Sequence, residues 1–297
     1  MGVSMRVLVT GNEGLIGRFV TSLLQEQGDE VVGFDRVNGY DILDRHALRS
    51  AAEGCEAIVH LAAVDTVDVM PDEAFDALTS ASRGTPEDIM ITNALGTQHV
   101  LSAAAYSGVR RLVFMSSVDA LGIFLGERTP DYLPIDDDHP TYPRSPYALA
   151  KRLAEEMCRS FTEDTGIPTI CLRPPGVFTE DTYAWIKGAR AAKLEFEWSP
   201  FWEYGAFLDA RDVASAVSCA LRCSDPGHVV LLLCADDISS AQRTSRELAR
   251  MILPDVPWRG GLEYEQDPFR ALLNTQRARR ILNWAPQYRW RPTPGPE

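Results

Sequence analysis

The chain has 297 residues, 45% of them hydrophobic, and a formal net charge of -13 at pH 7. That length supports a large buried core, and the acidic balance argues against a broad nucleic-acid or anionic-membrane surface, which needs clustered Lys and Arg. Six scattered cysteines without metal-like His spacing read as buried thiols in a reducing compartment, so no metal site is expected.

No apolar run approaches the roughly 18 residues of a membrane span, and no signal or transit peptide is legible. A cytoplasmic protein with a small-molecule partner is expected.

"RVLVT" (6–10) reads as a short β-strand, and "LIGRFVTSLLQEQG" (15–28) places Ile16, Val20, Leu23 and Leu24 on one helical face before Gly28. Further strands are expected at 30–35, 57–62, 111–117, 168–174 and 228–234. Helices are expected at 93–108, 145–166, 209–223 and 271–284. Apolar strands alternating with amphipathic helices specify an α/β fold with a doubly wound parallel sheet. Residues 177–206 are aromatic-rich and lack that alternation. The expected division is therefore 1–176 plus 207–237 for the sheet domain and 177–206 plus 238–297 for a smaller C-terminal substrate-binding lobe.

Between the first strand and helix lies "TGNEGLIG". Gly11 suits the tight turn out of the strand, Gly14 lets backbone approach a pyrophosphate, and Gly17 lets the helix pack closely on the sheet. The helix amino end at Leu15 and Ile16 offers N–H groups and partial positive charge to an anion. Glu13 is unexpected in such a loop; its carboxylate is expected to aim away from the phosphates, so that Glu13→Ala tightens cofactor binding modestly. Asp35, ending the second strand, fits a carboxylate on the adenosine ribose and favours NAD, while Arg36 beside it keeps NADP open. Asp41 and Ile42 follow, where an acid could meet the adenine amino group.

"SPYALAK" places Tyr147 and Lys151 four residues apart, on one face of a helix. A phenol of ordinary pKa near 10 is a poor base at neutral pH; a nearby ammonium stabilises its phenolate, and an oxidised nicotinamide ring adds a second positive charge. The pair is thus expected to exchange a proton with a substrate hydroxyl as hydride moves, with Ser117 at a strand's carboxyl end bonding the same oxygen.

Taken with "HLAA" (60–63), "NALGT" (93–97), "MSSVDALG" (115–122), "LRPPGVF" (172–178), "FLDARDVASAV" (207–217) and "RARRILNWAPQY" (277–288), the sequence resembles the extended short-chain dehydrogenase/reductase family, the NAD-dependent epimerase/dehydratase group. The resemblance implies a Rossmann-type domain holding NAD, with NADP open, and a catalytic set of Ser117, Tyr147 and Lys151. It implies cofactor contacts from Tyr147, Lys151, Leu61, Ala62, Ala63, Asn93, Pro174 and Val177, and a homodimer through the helices starting near Asn93 and Ser145.

Two departures narrow the chemistry. Where 4,6-dehydratases carry Thr-Asp-Glu, this chain has Ser117, Val118 and Asp119, which disfavours dehydration. Gly205 and Ala206 stand where epimerases commonly grip a diphosphate, and Gly176 stands where relatives often place a substrate-binding Asn; Arg190 is one cation that could substitute. Asp119, Gly176, Arg190, Trp202 and Ser117 are the expected substrate contacts. His60 and His139 read as structural, and 136–140 as a solvated acidic loop.

The implied activity is an NAD(P)-dependent epimerase or oxidoreductase of a sugar or nucleotide sugar. The alternative is a dehydrogenase or ketoreductase of a uronate-like sugar or biosynthetic ketone. A non-catalytic dinucleotide sensor is the reading of a different class, and the Tyr147–Lys151 pair argues against it.

Overall fold

The sheet domain is organised by alternation within six apolar runs. The computed structural model describes residues 4–65, 82–124, 128–192, 200–240 and 242–291, without the side chains of 82–83, 189–192 and 200–202. Strands β1 (Arg6–Thr10), β2 (Glu30–Phe34) and β3 (Ala57–His60) fall on the expected stretches. So do β6 (Arg111–Met115), β7 (Thr169–Arg173) and β10 (His228–Leu232). All pair in parallel in the order β10-β7-β6-β3-β1-β2.

Successive side chains leave opposite faces of a strand, which is why both faces are covered. Val7, Val9, Val59, Val113, Ile170 and Leu172 pack beneath helices Leu15–Glu26 and Ala210–Arg222. Leu8, Ile58, Leu112, Phe114 and Cys171 pack on the other face, beneath helices Arg45–Ala52, Gly96–Ser107 and Pro146–Thr165. From β1 the chain steps first to β2 on one side and then crosses to β3 on the other. The cleft at the carboxyl ends of β1 and β3 is therefore the switch point where open α/β sheets bind ligands.

Helix Arg45–Ala52 was not legible in the sequence; Asp44 starts it by accepting from the N–H groups of His46 and Ala47. The helix expected at 93–108 begins earlier, at Pro86, where Thr85 and Asp88 form a capping box, and passes through a π-type turn at Met90–Leu95. Helix Glu180–Ala192 occupies part of the segment that had shown no clean alternation.

A second apolar core joins Val118, Leu121 and Phe124 to Tyr204, Leu248 and Leu272. Short strands β4 (Val64–Asp65) and β5 (Ser82–Arg83) pair in parallel, as do β8 (Val177–Phe178) and β9 (Leu208–Asp209). The acidic stretch at 136–140 is solvated only in part, with Asp138 exposed and the Asp137 side chain turned inward. Asp137 is buried, accepts from the Leu232 N–H at 2.6 Å and faces Arg277, and burial pushes its carboxyl up to about 6. Among the described residues no helix is long and apolar enough to cross a membrane.

Candidate functional site

A cavity of about 580 Å³ opens at the β1/β3 switch point. Gly11 leaves β1 with φ +73°, and a Cβ there would lie 2.7 Å from the Ala62 backbone nitrogen. A Cβ on Gly17 would lie 2.0 Å from the Gly11 carbonyl oxygen, so the first helix can sit this close to the loop only without a side chain. Gly14 is the extended residue before that helix, and no side chain caps the helix end. Leu15 and Ile16 line the cavity beside it.

Glu13 also lines the cavity, but its carboxylate is turned sideways. Oε1 accepts from the side-chain amides of Asn12 at 2.8 Å and Asn38 at 3.3 Å, and Arg18 Nε lies 3.9 Å from Oε2. The Glu13 N–H donates to Asp35 Oδ2 at 3.1 Å, while Asp35 Oδ1 accepts from the Val37 N–H at 3.0 Å. The loop and the end of β2 are thus tied together through Asp35.

Arg36, Ile42 and Leu61 to Ala63 line the same cavity. Two expected contacts do not. Asp41 accepts from the Leu43 N–H in its own turn, and Asn93 is buried with its amide bonded to both the N–H and the carbonyl of Val64. Asn93 fixes β4 beside the cleft.

At the other end, Ser145 accepts from the Ala148 N–H and Pro146 fills the first helical position, starting the helix Pro146–Thr165. Tyr147 and Lys151, one turn apart, both reach the cavity, with Nζ 5.4 Å from the phenol ring centre. Lys151 Nζ donates to the Met115 carbonyl at 2.8 Å. Burial pushes this amine down to about 8, resisted by the charges of Asp65, Glu155 and Asp119. Ser117 Oγ accepts from the Asp119 N–H at 3.1 Å and donates to Asp119 Oδ2 at 3.0 Å. Burial also raises the Asp119 carboxyl, opposed by Ser117 and Lys151.

The surroundings of Tyr147 hold acids that its helix does not display. Tyr147 is held well above the ordinary phenol range, first by burial and then by Asp65 and Asp119, with the Ser117 hydroxyl pulling the other way and Glu203 adding to the rise. The helix sequence displays the lysine one turn away; the carboxylates come from three other segments.

Glu203 is the residue that sequence reasoning missed. It faces the cavity and accepts from the Gly176 N–H at 2.6 Å. Its backbone is left-handed, φ 51°, as are Tyr204 at 56° and Gly205 at 76°, and for the two non-glycine residues this costs about 1–2 kcal/mol each. Only Gly205 hinted at the turn. Pro174, Gly176 and Val177 line the cavity around it. Arg190 and Trp202 lie outside the residues whose side chains are described. Tyr204 is core, its hydroxyl donating to the Ile123 carbonyl at 3.3 Å.

Neither histidine is catalytic in placement. His60 bridges Thr10 and Thr97 and is pushed down to about 3 by burial and Lys151. His139 accepts from the Asp131 N–H and meets the Pro140 carbonyl.

A family model described as the NAD dependent epimerase/dehydratase family matches residues 7–232. The chain belongs to this family. Within it, the chain is 27% identical over 187 residues to uronate dehydrogenase of Pseudomonas syringae pv. tomato, covering 59% of this chain and 60% of that one. It is 29% identical over 180 residues to a putative UDP-glucose 4-epimerase of Methanocaldococcus jannaschii, covering 59% and 56%. The matched part thus spans less than two thirds of these curated relatives. A solved short-chain dehydrogenase/reductase superfamily protein from Agrobacterium tumefaciens with bound NAD shares the fold, with TM-score 0.66, 24% identity and coverage of 96% and 93%.

NAD(P) is the cofactor of this epimerase/dehydratase family member, and the cavity fits a dinucleotide. The Gly11–Gly17 cradle has no room for a Cβ, the helix behind it lacks a side-chain cap, and a carboxylate stands at the end of β2.

Proposed function

We propose that this protein is an epimerase or oxidoreductase that interconverts a secondary alcohol and a ketone or lactone of a sugar or nucleotide sugar. The observation that carries the reading is the convergence of Ser117, Tyr147 and Lys151 on the cavity that also holds the glycine loop. When bound, the oxidised nicotinamide accepts hydride and brings a positive charge that opposes Asp65, Asp119 and Glu203.

Tyr147 exchanges the substrate hydroxyl proton. Its raised affinity for protons keeps it a donor in the empty protein, and added positive charge moves it toward a base. Lys151, anchored on the Met115 carbonyl, stabilises the phenolate and reaches toward the nicotinamide ribose. Ser117 turns from Asp119 Oδ2 to the substrate oxygen. Asp35 binds the adenosine ribose, and with Glu13 beside it favours NAD over NADP. The described residues of 177–206 and 238–297 form the substrate-side lobe.

A homodimer fits the surface. Leu149 and Leu153 on the helix Pro146–Thr165, with Ile91, Leu95 and Tyr106 in the helical run that passes through Met90–Leu95 into Gly96–Ser107, are exposed apolar side chains.

The relatives support both an epimerase, which returns the hydride, and a uronate-type dehydrogenase, which yields NADH. A panel of free sugars, uronates, nucleotide sugars and small ketones, read together for NADH absorbance and product stereochemistry, separates them. Tyr147→Phe is expected to cut kcat about 10³-fold on the responding substrate, with NAD affinity within about threefold of wild type. Unchanged turnover in that variant would sink the assignment and favour a dinucleotide sensor.

A further inference from the structure

Glu203 lies in the cavity yet has no part in the proton exchange just described. Its direction is built in. The Tyr204 ring is buried against Phe124, the Ala206 N–H donates to the Glu203 carbonyl at 3.0 Å, and the Ser239 N–H donates to the Gly205 carbonyl at 2.8 Å. These contacts hold three successive residues in left-handed backbone, an arrangement that persists only where its surroundings enforce it.

The carboxyl occupies the place of a missing side chain. A Cβ on Gly176 would come within 3.1 Å of Glu203 Oε2, the oxygen that already accepts from the Gly176 N–H. Oε1 has no hydrogen-bond partner among the described residues and is the atom left to meet a ligand. Tyr147, Asp65 and Asp119 line the same cavity.

We propose that Glu203 is a substrate-positioning residue whose Oε1 holds a hydroxyl beside the reacting carbon of an uncharged, polyhydroxylated substrate, and that with Asp119 it disfavours substrates bearing a carboxylate. The inference rests on the oxidoreductase reading above. An anionic substrate would meet two carboxyl groups where a neutral polyol meets two hydrogen-bond acceptors.

The test uses the NAD-loaded protein with D-galactose, 2-deoxy- and 3-deoxy-D-galactose, D-galacturonate and UDP-galactose, read by NADH absorbance and by NMR of products. Wild type is expected to favour D-galactose over D-galacturonate by at least about tenfold in kcat/KM. Glu203→Ala is expected to raise KM for D-galactose about tenfold with kcat within about threefold, and to leave unchanged the KM of the deoxy sugar that lacks the bonded hydroxyl. Gly176→Asn added to Glu203→Ala is expected to recover most of the loss, because the new side chain enters the space the carboxyl vacates.

Turnover of D-galacturonate or UDP-galactose but not D-galactose overturns the inference and leaves the oxidoreductase reading intact. So does a Glu203→Ala KM within threefold of wild type, or a loss on every probe accompanied by lost NAD binding, which marks a purely structural role. Absence of turnover with these probes overturns the inference, and absence of turnover across the wider panel above overturns both.

Discussion

At the glycine-loop end of the cleft the chain presents bare backbone, whereas at the Tyr147 end it presents Asp65, Asp119 and Glu203 around a buried amine. The first surface works by clearance: Gly11, Gly14 and Gly17 remove Cβ atoms so that N–H groups and a helix end can meet an anion. The second works by charge balance, with one ammonium set among several carboxylates. A geometric surface tolerates almost no added atoms and is indifferent to pH, while an electrostatic one tolerates isosteres and responds to protons.

That contrast is broken most forcefully at Gly17. A methyl group there would sit 2.0 Å from the Gly11 carbonyl oxygen, which is backbone and cannot step aside. Gly17→Ala is expected to weaken NAD binding by about 100-fold, with a stability loss of about 1–3 kcal/mol from overpacking. Titration calorimetry and thermal melts check both. Binding within threefold of wild type would show that the loop has slack its geometry does not display.

The second prediction concerns pH. Lys151 titrates at about 8 in the folded protein against an ordinary 10.5, so its ammonium is present at pH 7 and lost as pH rises through 8. NAD affinity is expected to fall about tenfold between pH 7 and 9.5 if the ammonium holds the ribose. Lys151→Met should flatten that profile. Folding stability moves the opposite way: the unfolded chain keeps this proton up to 10.5, so the group adds stability as pH climbs from 8 toward 10.5. A pH-independent NAD affinity in wild type would place the lysine outside the cofactor's reach.

The two ends also differed in how far the sequence revealed them. Strands buried on both faces read as unbroken apolar runs, so all six central strands fell where expected, and the glycine spacing announced its loop because each glycine answers a local steric demand. The acid cluster gives no such sign. Asp65, Asp119 and Glu203 lie far apart in sequence, and only the β4 turn, the Ser117 turn and the left-handed segment 203–205 gather them. The acids around Tyr147 were hidden for the same reason, since helical spacing displays the lysine and not the carboxylates. Asp137 looked solvated because a run of acids usually is, yet it secures the Leu232 N–H. Asn93 was expected at the cofactor but is used up by both backbone groups of Val64.

The smallest effect is expected at Glu13, the acid within the glycine loop. From sequence, Glu13→Ala should tighten NAD binding modestly by removing a charge near the phosphates. In the structure that charge faces Asn12, Asn38 and Arg18, beside Asp35 and away from the helix end. Its neighbour in a bound dinucleotide is then the adenosine ribose, where a 2′-phosphate would meet two carboxylates in place of one. Glu13→Ala should therefore leave NAD affinity within about twofold and improve NADP affinity about threefold, the scale of one screened charge at the surface. Parallel titrations with the two cofactors at low and high salt decide the matter. An NADP gain that vanishes in high salt identifies a charge effect, whereas an equal loss for both cofactors would mean that the Glu13 amide contacts hold Asn12, and through it the loop, in shape.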